Sequence, residues 1–470
     1  MIINERREQP SQASIFLAFC ICLAISLGSV ATHNPTFEET SFFIGIVRAI
    51  VAMLLIGLHL LFISSERLTY FIPLPINFTT HRIAIFGCFV SFLVSATFLM
   101  LRLNELEPDQ LNLDSSTLWL ATTFFIILFV VQIMIQRPGY PSTILLMSIG
   151  GFLFLNYFHI NAISLESDTR QPFSLYYEAI DRFFIGLDPY QVYDSAGSRP
   201  FTVLPGHWLS YVLFRFLNLD PRWLGSLAQL ASVCLIYTAI PKKRKHITAY
   251  LLSLYLLSPY QISVEASYTG ILPLVISLIF FLFCRGYYLL GVAALGWSVS
   301  LSLYSCLLVP FALGFLLKKQ PFKYWIIYLA LGILFGTMQL LPFGMRFQDT
   351  FLYCTVSYWL DTFFWNGFNI SYWLVPIIGG YGLYFLQIFF FLVLFVQYLK
   401  SDMSLSTSLV YASTYSLFFL ITNRVVENYL FPLIFLQALM GFVVFDESKS
   451  AKATIKIHRP TAEGQKPEYK

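Results

Sequence analysis

Glu166 and Asp168 stand two residues apart in SLESDTR (164–170), the first place in the chain where residue types and spacing could do chemistry. The pair comes just after an apolar run at 142–159, and no helical pattern accounts for it. A carboxylate this close to a membrane exit can take a proton from a hydroxyl or ligate a divalent cation that bridges phosphate oxygens. The competing reading is a solvated loop. If a metal is bound, Glu166 and Asp168 are its expected ligands, and a divalent cation is the one cofactor the sequence allows.

A denser polar stretch follows, LYYEAIDRFFIGLDPYQVYD at 175–194. Leu175, Ala179, Ile180, Phe183 and Phe184 fall on one helical face, with Glu178, Asp181 and Arg182 opposite, which predicts a helix over 174–185. Glu178 and Arg182 have the i, i+4 spacing of a favourable pair. Gly186 has the character of a residue just past a helix end, and Pro189 forbids continuation. The spacing makes Glu178 and Asp181 the wet face of a surface helix rather than a catalytic set.

Further candidates lie downstream. Glu265 follows LSPYQISV, and an ionisable group so near a bilayer is more often functional than one in a soluble loop. Arg424, in NRVVEN beside Glu427, stands at the mouth of the last apolar run, where it could hold a phosphate or simply anchor the interface. Arg170, Arg182, Arg199 and Arg346 are the other cations expected on the same side. His207, in LPGHW, either binds a polar ligand or sits at the interface. Trp208, Trp359, Trp365 and Trp373 could stack on sugar rings or mark the membrane surface. The loop 342–379 is expected to lie over the site, with Asp361 in it.

The elements that must position these groups are membrane spans. The chain has 470 residues, 57% hydrophobic and 11% charged, where a soluble domain carries roughly 25% charged residues. Apolar runs of spanning length occur near 12–31, 42–63, 82–101, 118–135 and 142–159, then at 222–240, 247–263, 268–284, 287–301, 304–317, 323–341, 380–399, 404–421 and 428–445. The short pair 287–301 and 304–317 could be bent or re-entrant. The prediction is an all-α polytopic membrane protein with about 13–14 transmembrane helices. No nucleic-acid footprint is present, since the net charge is only +4. The cysteines read as small apolar packing residues.

Orientation follows Lys and Arg in short loops. With the N-terminus and its Arg6 and Arg7 cytoplasmic, the segment 160–221 is outside. KKRKH (242–246), KKQPFK (318–323), Lys400 and the Lys-rich tail are then inside, provided that 201–219 does not cross. Pro205 and the central Arg215 support a non-spanning, interfacial amphipathic helix over 206–217. The domain reading is a four-span module at 1–141, a core at 142–446 with its outer loop at 160–221, and a basic cytoplasmic tail at 447–470. A cleaved signal peptide at the first run is the alternative at that end. The protein is expected to be multi-pass, in a bacterial inner membrane or the endoplasmic reticulum, with both termini cytoplasmic.

The order of these features resembles the GT-C superfamily of polyprenyl-phosphate-sugar-dependent glycosyltransferases, and within it the first mannosyltransferase of GPI assembly and its bacterial relatives. The resemblance rests on Glu166/Asp168, GLDPY (186–190), LSP (257–259), LYSCLLVP (303–310) and TNRVVENYLFPLIF (422–435), and covers about 150 to 450. It implies a GT-C-like core, with the first four spans an added module. It implies an inverting hexosyltransfer, mannose first among the sugars, from a polyprenyl- or dolichyl-phosphate donor to a lipid or glycan acceptor on the non-cytoplasmic face. Asp168 becomes the expected base with Glu166 its partner or alternate. Arg424, Glu427, Asn428, Glu265, Tyr190 and His207 become expected donor or acceptor contacts. The chain departs from the family pattern: Glu-Ser-Asp replaces D-x-D, Ser302 precedes the Tyr where Lys is frequent, EASYTG stands for Asn-Ala-Asp, and Val426 stands for His. Those departures keep two alternatives open: a non-catalytic GT-C-fold subunit that binds a glycolipid for a membrane complex, and a polysaccharide polymerase, flippase or transporter.

Overall fold

The computed structural model describes residues 53–61, 79–104, 115–135, 141–163, 172–193, 199–262, 269–357, 370–422 and 431–444, together with Ile21 and Ile50. Among them the fold is all-α apart from one two-residue antiparallel pairing, β1 (Val192–Tyr193) with β2 (Arg199–Pro200). The first three helices are α1 (Thr79–Asn104), α2 (Ser115–Ile135) and α3 (Pro141–Ala162). Next come α4 (Pro172–Phe184), α5 (Pro205–Leu209), α6 (Val212–Phe216), α7 (Arg222–Ala239) and α8 (Lys245–Leu256). They are followed by α9 (Leu272–Cys284), α10 (Tyr288–Leu301), α11 (Val309–Lys319), α12 (Trp325–Thr337), α13 (Leu341–Arg346) and α14 (Gln348–Leu352). The last three are α15 (Ile370–Lys400), α16 (Leu405–Thr422) and α17 (Phe431–Val444).

Three of these helices carry a stretch long and apolar enough to cross a membrane: Ala84–Leu101, Ser142–Ala162 and Leu374–Lys400. Shorter apolar helices fill much of the rest. The expected first span, 12–31, lies outside the described residues except for Ile21, and of 42–63 only Ile50 and the helical 53–61 are described. Over the expected spans 247–263, 268–284, 304–317 and 323–341 the α-helices are shorter than the apolar runs. Their helices run 12, 13, 11 and 13 residues. At 1.5 Å per residue these reach only about 16–20 Å, against about 30 Å of hydrocarbon.

The breaks have local causes. Pro259 opens a 3-10 turn (Pro259–Ile262) after α8. Ser302 is extended (φ −157°), and its hydroxyl accepts the Tyr304 N–H at 3.3 Å, capping a second 3-10 turn (Leu303–Leu307) before Pro310. Between α9 and α10 the chain reverses at Gly286 (φ +79°), with Tyr287 N–H bonded to the Leu282 carbonyl and Gly286 N–H to that of Phe283.

The break after α8 falls in the interior. Ser91 and Ser95, in the middle of α1, both donate to the Leu257 carbonyl, at 2.8 and 2.7 Å. Gly151, in the middle of α3, has space for a Cβ only 3.4 Å from the Leu257 side chain. The C-terminal end of α8 therefore stops at mid-height of the two long helices, where serine hydroxyls replace the missing turn as hydrogen-bond partners.

Two apolar clusters organise the molecule. The larger joins residues of α1–α3, α7–α12 and α15–α17, with Ile21, Leu55 and Ile56. Helices α10 and α12 cross at glycines: a Cβ on Gly296 would collide with the Gly332 carbonyl, so the backbones touch. The smaller cluster is aromatic and belongs to 173–211 together with 343–354. It forms a separate cap at the end of the bundle away from Lys318, Lys319, Lys323 and Lys400.

Candidate functional site

The cap is built on α4. Phe173, Tyr176, Ala179 and Ile180 are buried, and Phe183 packs against them. The expected inner face is corrected at one position: Phe184 is exposed and its ring meets Phe216 at 5.0 Å. On the opposite face Asp181 is gripped by Arg215 of α6 through two bonds, Nε–Oδ1 at 3.0 Å and Nη2–Oδ2 at 2.8 Å. The carboxylate holds the Arg215 guanidinium above its ordinary pKa. The expected single interfacial helix over 206–217 is two short helices, α5 and α6, separated at Ser210 and Tyr211.

Helix α4 ends as its sequence implies. Gly186 has φ +83°, its N–H reaches the Phe183 carbonyl at 3.0 Å, and Leu187 N–H reaches that of Arg182 at 2.9 Å. Asp188 then makes the turn: Oδ1 accepts the Tyr190 N–H at 2.7 Å and Oδ2 accepts the Thr350 hydroxyl at 2.5 Å. Arg182 Nε donates to the Asp188 carbonyl and Arg346 Nη2 to that of Gly186, both at 2.9 Å. GLDPY is thereby fastened to α13 and α14, 160 residues further along the chain.

Tyr190, an expected ligand contact, stands inside the cap. It is fully buried, its hydroxyl donates to the Val203 carbonyl at 3.0 Å, and it accepts from Trp208 Nε1 at 3.2 Å. Trp208, offered as a stacking surface, is likewise buried, against Phe183, Phe201 and Phe343. His207 is corrected from an interfacial position to the cap interior, where its ring meets Tyr176 at 5.5 Å and Tyr211 at 5.8 Å. Burial raises the pKa of Tyr176, Tyr190, Tyr193 and Tyr211, and pushes the Tyr177 phenol up to about 12 and the Cys354 thiol up to about 11. None of these groups is a base near neutral pH.

The residues that carry the expected chemistry, Glu166, Asp168, Glu265, Arg424, Glu427 and Asn428, lie outside the described residues, as do Arg170, Trp359, Asp361 and Trp365. Their chain segments leave from described residues that stand close together. Segment 164–171 begins after Ile163 and ends before Pro172 and Phe173, whose ring meets Tyr211 at 5.6 Å. Segment 263–268 ends before Thr269 and Gly270, and a Cβ on Gly270 would lie 3.0 Å from the Tyr211 hydroxyl and 3.4 Å from His207. Segment 423–430 ends at α17, which packs on the Pro259–Ile262 turn where segment 263–268 begins. The described residues that follow the first two segments thus meet at Tyr211, and the helix that follows the third packs on the turn from which the second leaves.

A latch that sequence reasoning missed fixes the first of these segments. Arg222, the first residue of α7, is 1% exposed. Its Nη1 donates to the Ile163 carbonyl at 2.9 Å and its Nη2 to that of Ile160 at 2.7 Å. Asp220 completes the set, accepting from Nε at 2.9 Å and from Nη2 at 2.6 Å. Two orphan carbonyls at the C-terminal end of α3 are so satisfied by a buried cation. The signal available in the sequence was Asp-Pro-Arg at the head of an apolar run.

Inside the bundle, buried polar side chains gather near the mid-height break. Tyr304 donates to Gln437 Oε1 at 3.1 Å. Gln261, on the Pro259–Ile262 turn, is 1% exposed, with the Tyr255 hydroxyl as its polar neighbour. Among the described residues no group of three or more His, Cys, Asp or Glu could hold a metal. Comparison with known families, curated proteins and solved structures finds no match for this chain.

Proposed function

We propose that the chain is an integral-membrane glycosyltransferase that moves a sugar, mannose foremost, from a polyprenyl-phosphate donor to a lipid or glycan acceptor at the capped end of the bundle. The observation that supports this reading is that Phe173 and Gly270, which follow the segments bearing Glu166 and Asp168 and Glu265, meet at Tyr211, while α17, which follows the segment bearing Arg424, Glu427 and Asn428, packs on the turn after α8. An inverting transfer needs those three kinds of group together. Asp168 takes the acceptor hydroxyl proton as its oxygen bonds to the anomeric carbon. The bond from that carbon to the phosphate oxygen breaks, and Arg424 holds the departing polyprenyl phosphate. Glu166 stands by as partner or alternate base. A divalent cation, if one takes part, would be held by Glu166 and Asp168.

The test is transfer from a labelled polyprenyl-phosphate sugar by purified protein in lipid. Asp168→Asn is expected to lose transfer while expression and insertion stay normal; full activity in that variant sinks the assignment. One observation favours a second reading, a flippase or transporter: α8 ends at mid-height beside α1 and α3, as helices do around midplane binding sites. Substrate flux into proteoliposomes that survives Asp168→Asn would select it.

A further inference from the structure

The cap exposes apolar side chains where an extramembrane domain in water would not. Ile185 is 71% exposed and Leu213 63%, with Phe184, Phe216 and Leu217 more than half exposed. They form one surface. Leu213, Phe216 and Leu217 follow i, i+3, i+4 spacing on α6, and Phe216 meets Phe184 at 5.0 Å. Isolated exposed apolar residues are ordinary, but a contiguous patch of this kind marks an interaction surface.

Two observations say what covers it. The patch is continuous with the apolar exterior of the bundle. That exterior runs up α12 through Ile333, Leu334 and Met338 to Leu341 and Met345 of α13. Met345, 83% exposed, adjoins Arg346, which bonds to the Gly186 carbonyl next to Ile185. The patch is also edged by cations. Arg346 is exposed beside it, and Arg215 lies between Phe214 and Phe216 with its head turned to Asp181. Apolar side chains below and guanidinium groups at the rim match the boundary between acyl chains and phosphate headgroups.

We propose that this face of the cap is immersed in the leaflet that the capped end of the bundle meets, so that the cap is a half-embedded platform and not a domain projecting into water. The proposal rests on the reading that the apolar helices cross a bilayer. Its consequence is depth: the packed interior of the cap, around Tyr211 and Gly270, then stands at the level of the headgroups.

The experiment places a nitroxide at Ile185→Cys, Leu213→Cys and Leu217→Cys, one at a time, in a background with the native cysteines replaced, and reconstitutes the protein in phosphatidylcholine–phosphatidylglycerol vesicles. Ile388→Cys on α15 and Lys242→Cys at the opposite end serve as references. Collision with dissolved oxygen is expected to exceed collision with a water-soluble nickel chelate several-fold at 185, 213, 217 and 388, and the reverse at 242. Water-like values at the patch with a lipid-like value at 388 overturn the proposal alone. Low collision with both reagents at the patch means a protein covers it and overturns it too. A water-like value at 388 overturns the spanning reading on which it rests. In the unmodified chain, a membrane-restricted carbene reagent is expected to label peptides containing 184–187 and 213–217. Labelling confined to bundle helices contradicts the immersion even if a cysteine variant misfolds.

Discussion

Arg222 donates to the Ile163 carbonyl at 2.9 Å across 59 residues of chain, joining the start of α7 to the last described residue before the acidic pair. The same guanidinium holds Ile160 and Asp220, so one side chain ties together the end of α3, the start of α7 and the entrance to segment 164–171.

Arg222→Lys keeps the charge but not the planar fork, and a single ammonium cannot serve two carbonyls and a carboxylate at once. The expected loss is about 3 kcal/mol of stability, the scale of a broken buried charge network. Urea unfolding in detergent micelles measures it. A variant within about 0.5 kcal/mol of the parent, the range of an ordinary surface change, would mean that the latch does not hold the fold.

Gly206 and Gly186 should respond differently to alanine. A Cβ on Gly206 would lie 2.7 Å from the Ser300 carbonyl oxygen and 2.8 Å from its hydroxyl, and would collide with Gln339 Oε1. The first turn of α5 must then move off α10, at a cost of roughly 2–3 kcal/mol or more. At Gly186 the nearest atom is the Arg346 guanidinium at 3.5 Å, so only the positive φ matters, about 1 kcal/mol. Thermal unfolding should rank Gly206→Ala well below Gly186→Ala, and equal midpoints would contradict the close approach of cap and bundle.

Alkaline pH should open the cap. Tyr177 is held neutral, chiefly by burial and then by Asp220, with Arg215 opposing, so its phenol titrates near 12 in the folded chain against about 10 when unfolded. Below pH 10 both states keep the proton and nothing changes. Between about 10 and 12 the unfolded chain releases it while the folded chain does not, so stability falls as pH rises through that window. Tyr176, Tyr190, Tyr193 and Tyr211 shift in the same direction. Tyrosinate absorbance should rise together with loss of tryptophan fluorescence structure. Smooth ionisation near pH 10 with an intact cap would refute the expectation.

Gln261 is buried with the Tyr255 hydroxyl as its polar neighbour among the described residues, so replacing it by a methionine of similar size removes a desolvated amide and that one contact. Gln261→Met is expected to leave the melting temperature unchanged or raise it. A loss of activity or flux on top of unchanged stability would place the amide on a ligand's path. A loss of more than about 1 kcal/mol would instead reveal a hydrogen bond made in the native state.

Much of the local structure was legible in the sequence. The helix over α4, its end at Gly186 and the lack of a long helix over 201–219 follow from periodicity, from one glycine and from Pro205, which act within a few residues, whereas the break at Pro259 inside the expected span 247–263 did not show in the apolar run. The interior of the cap was less so. Tyr190 and His207 read as ligand contacts and Trp208 as a stacking or interfacial ring because aromatic side chains at a membrane boundary have no period that separates a binding face from a packed one. Tyr176, Phe201 and Tyr211, together with Phe343 and Phe351, enclose them.

By itself, the sequence determined that this is a helical, strongly apolar chain whose lysine and arginine clusters sit in short stretches between apolar runs. Those properties depend on composition and on residues three or four apart. The tertiary structure alone decided that α8 stops level with Ser91 and Ser95, that Arg222 reaches back to Ile163, and that Gly270, Phe173 and His207 meet around Tyr211. Apart from His207 and Tyr211, which are near neighbours in the chain, each of those joins residues dozens to more than a hundred positions apart, and such pairings come from how whole helices pack, which no local pattern encodes.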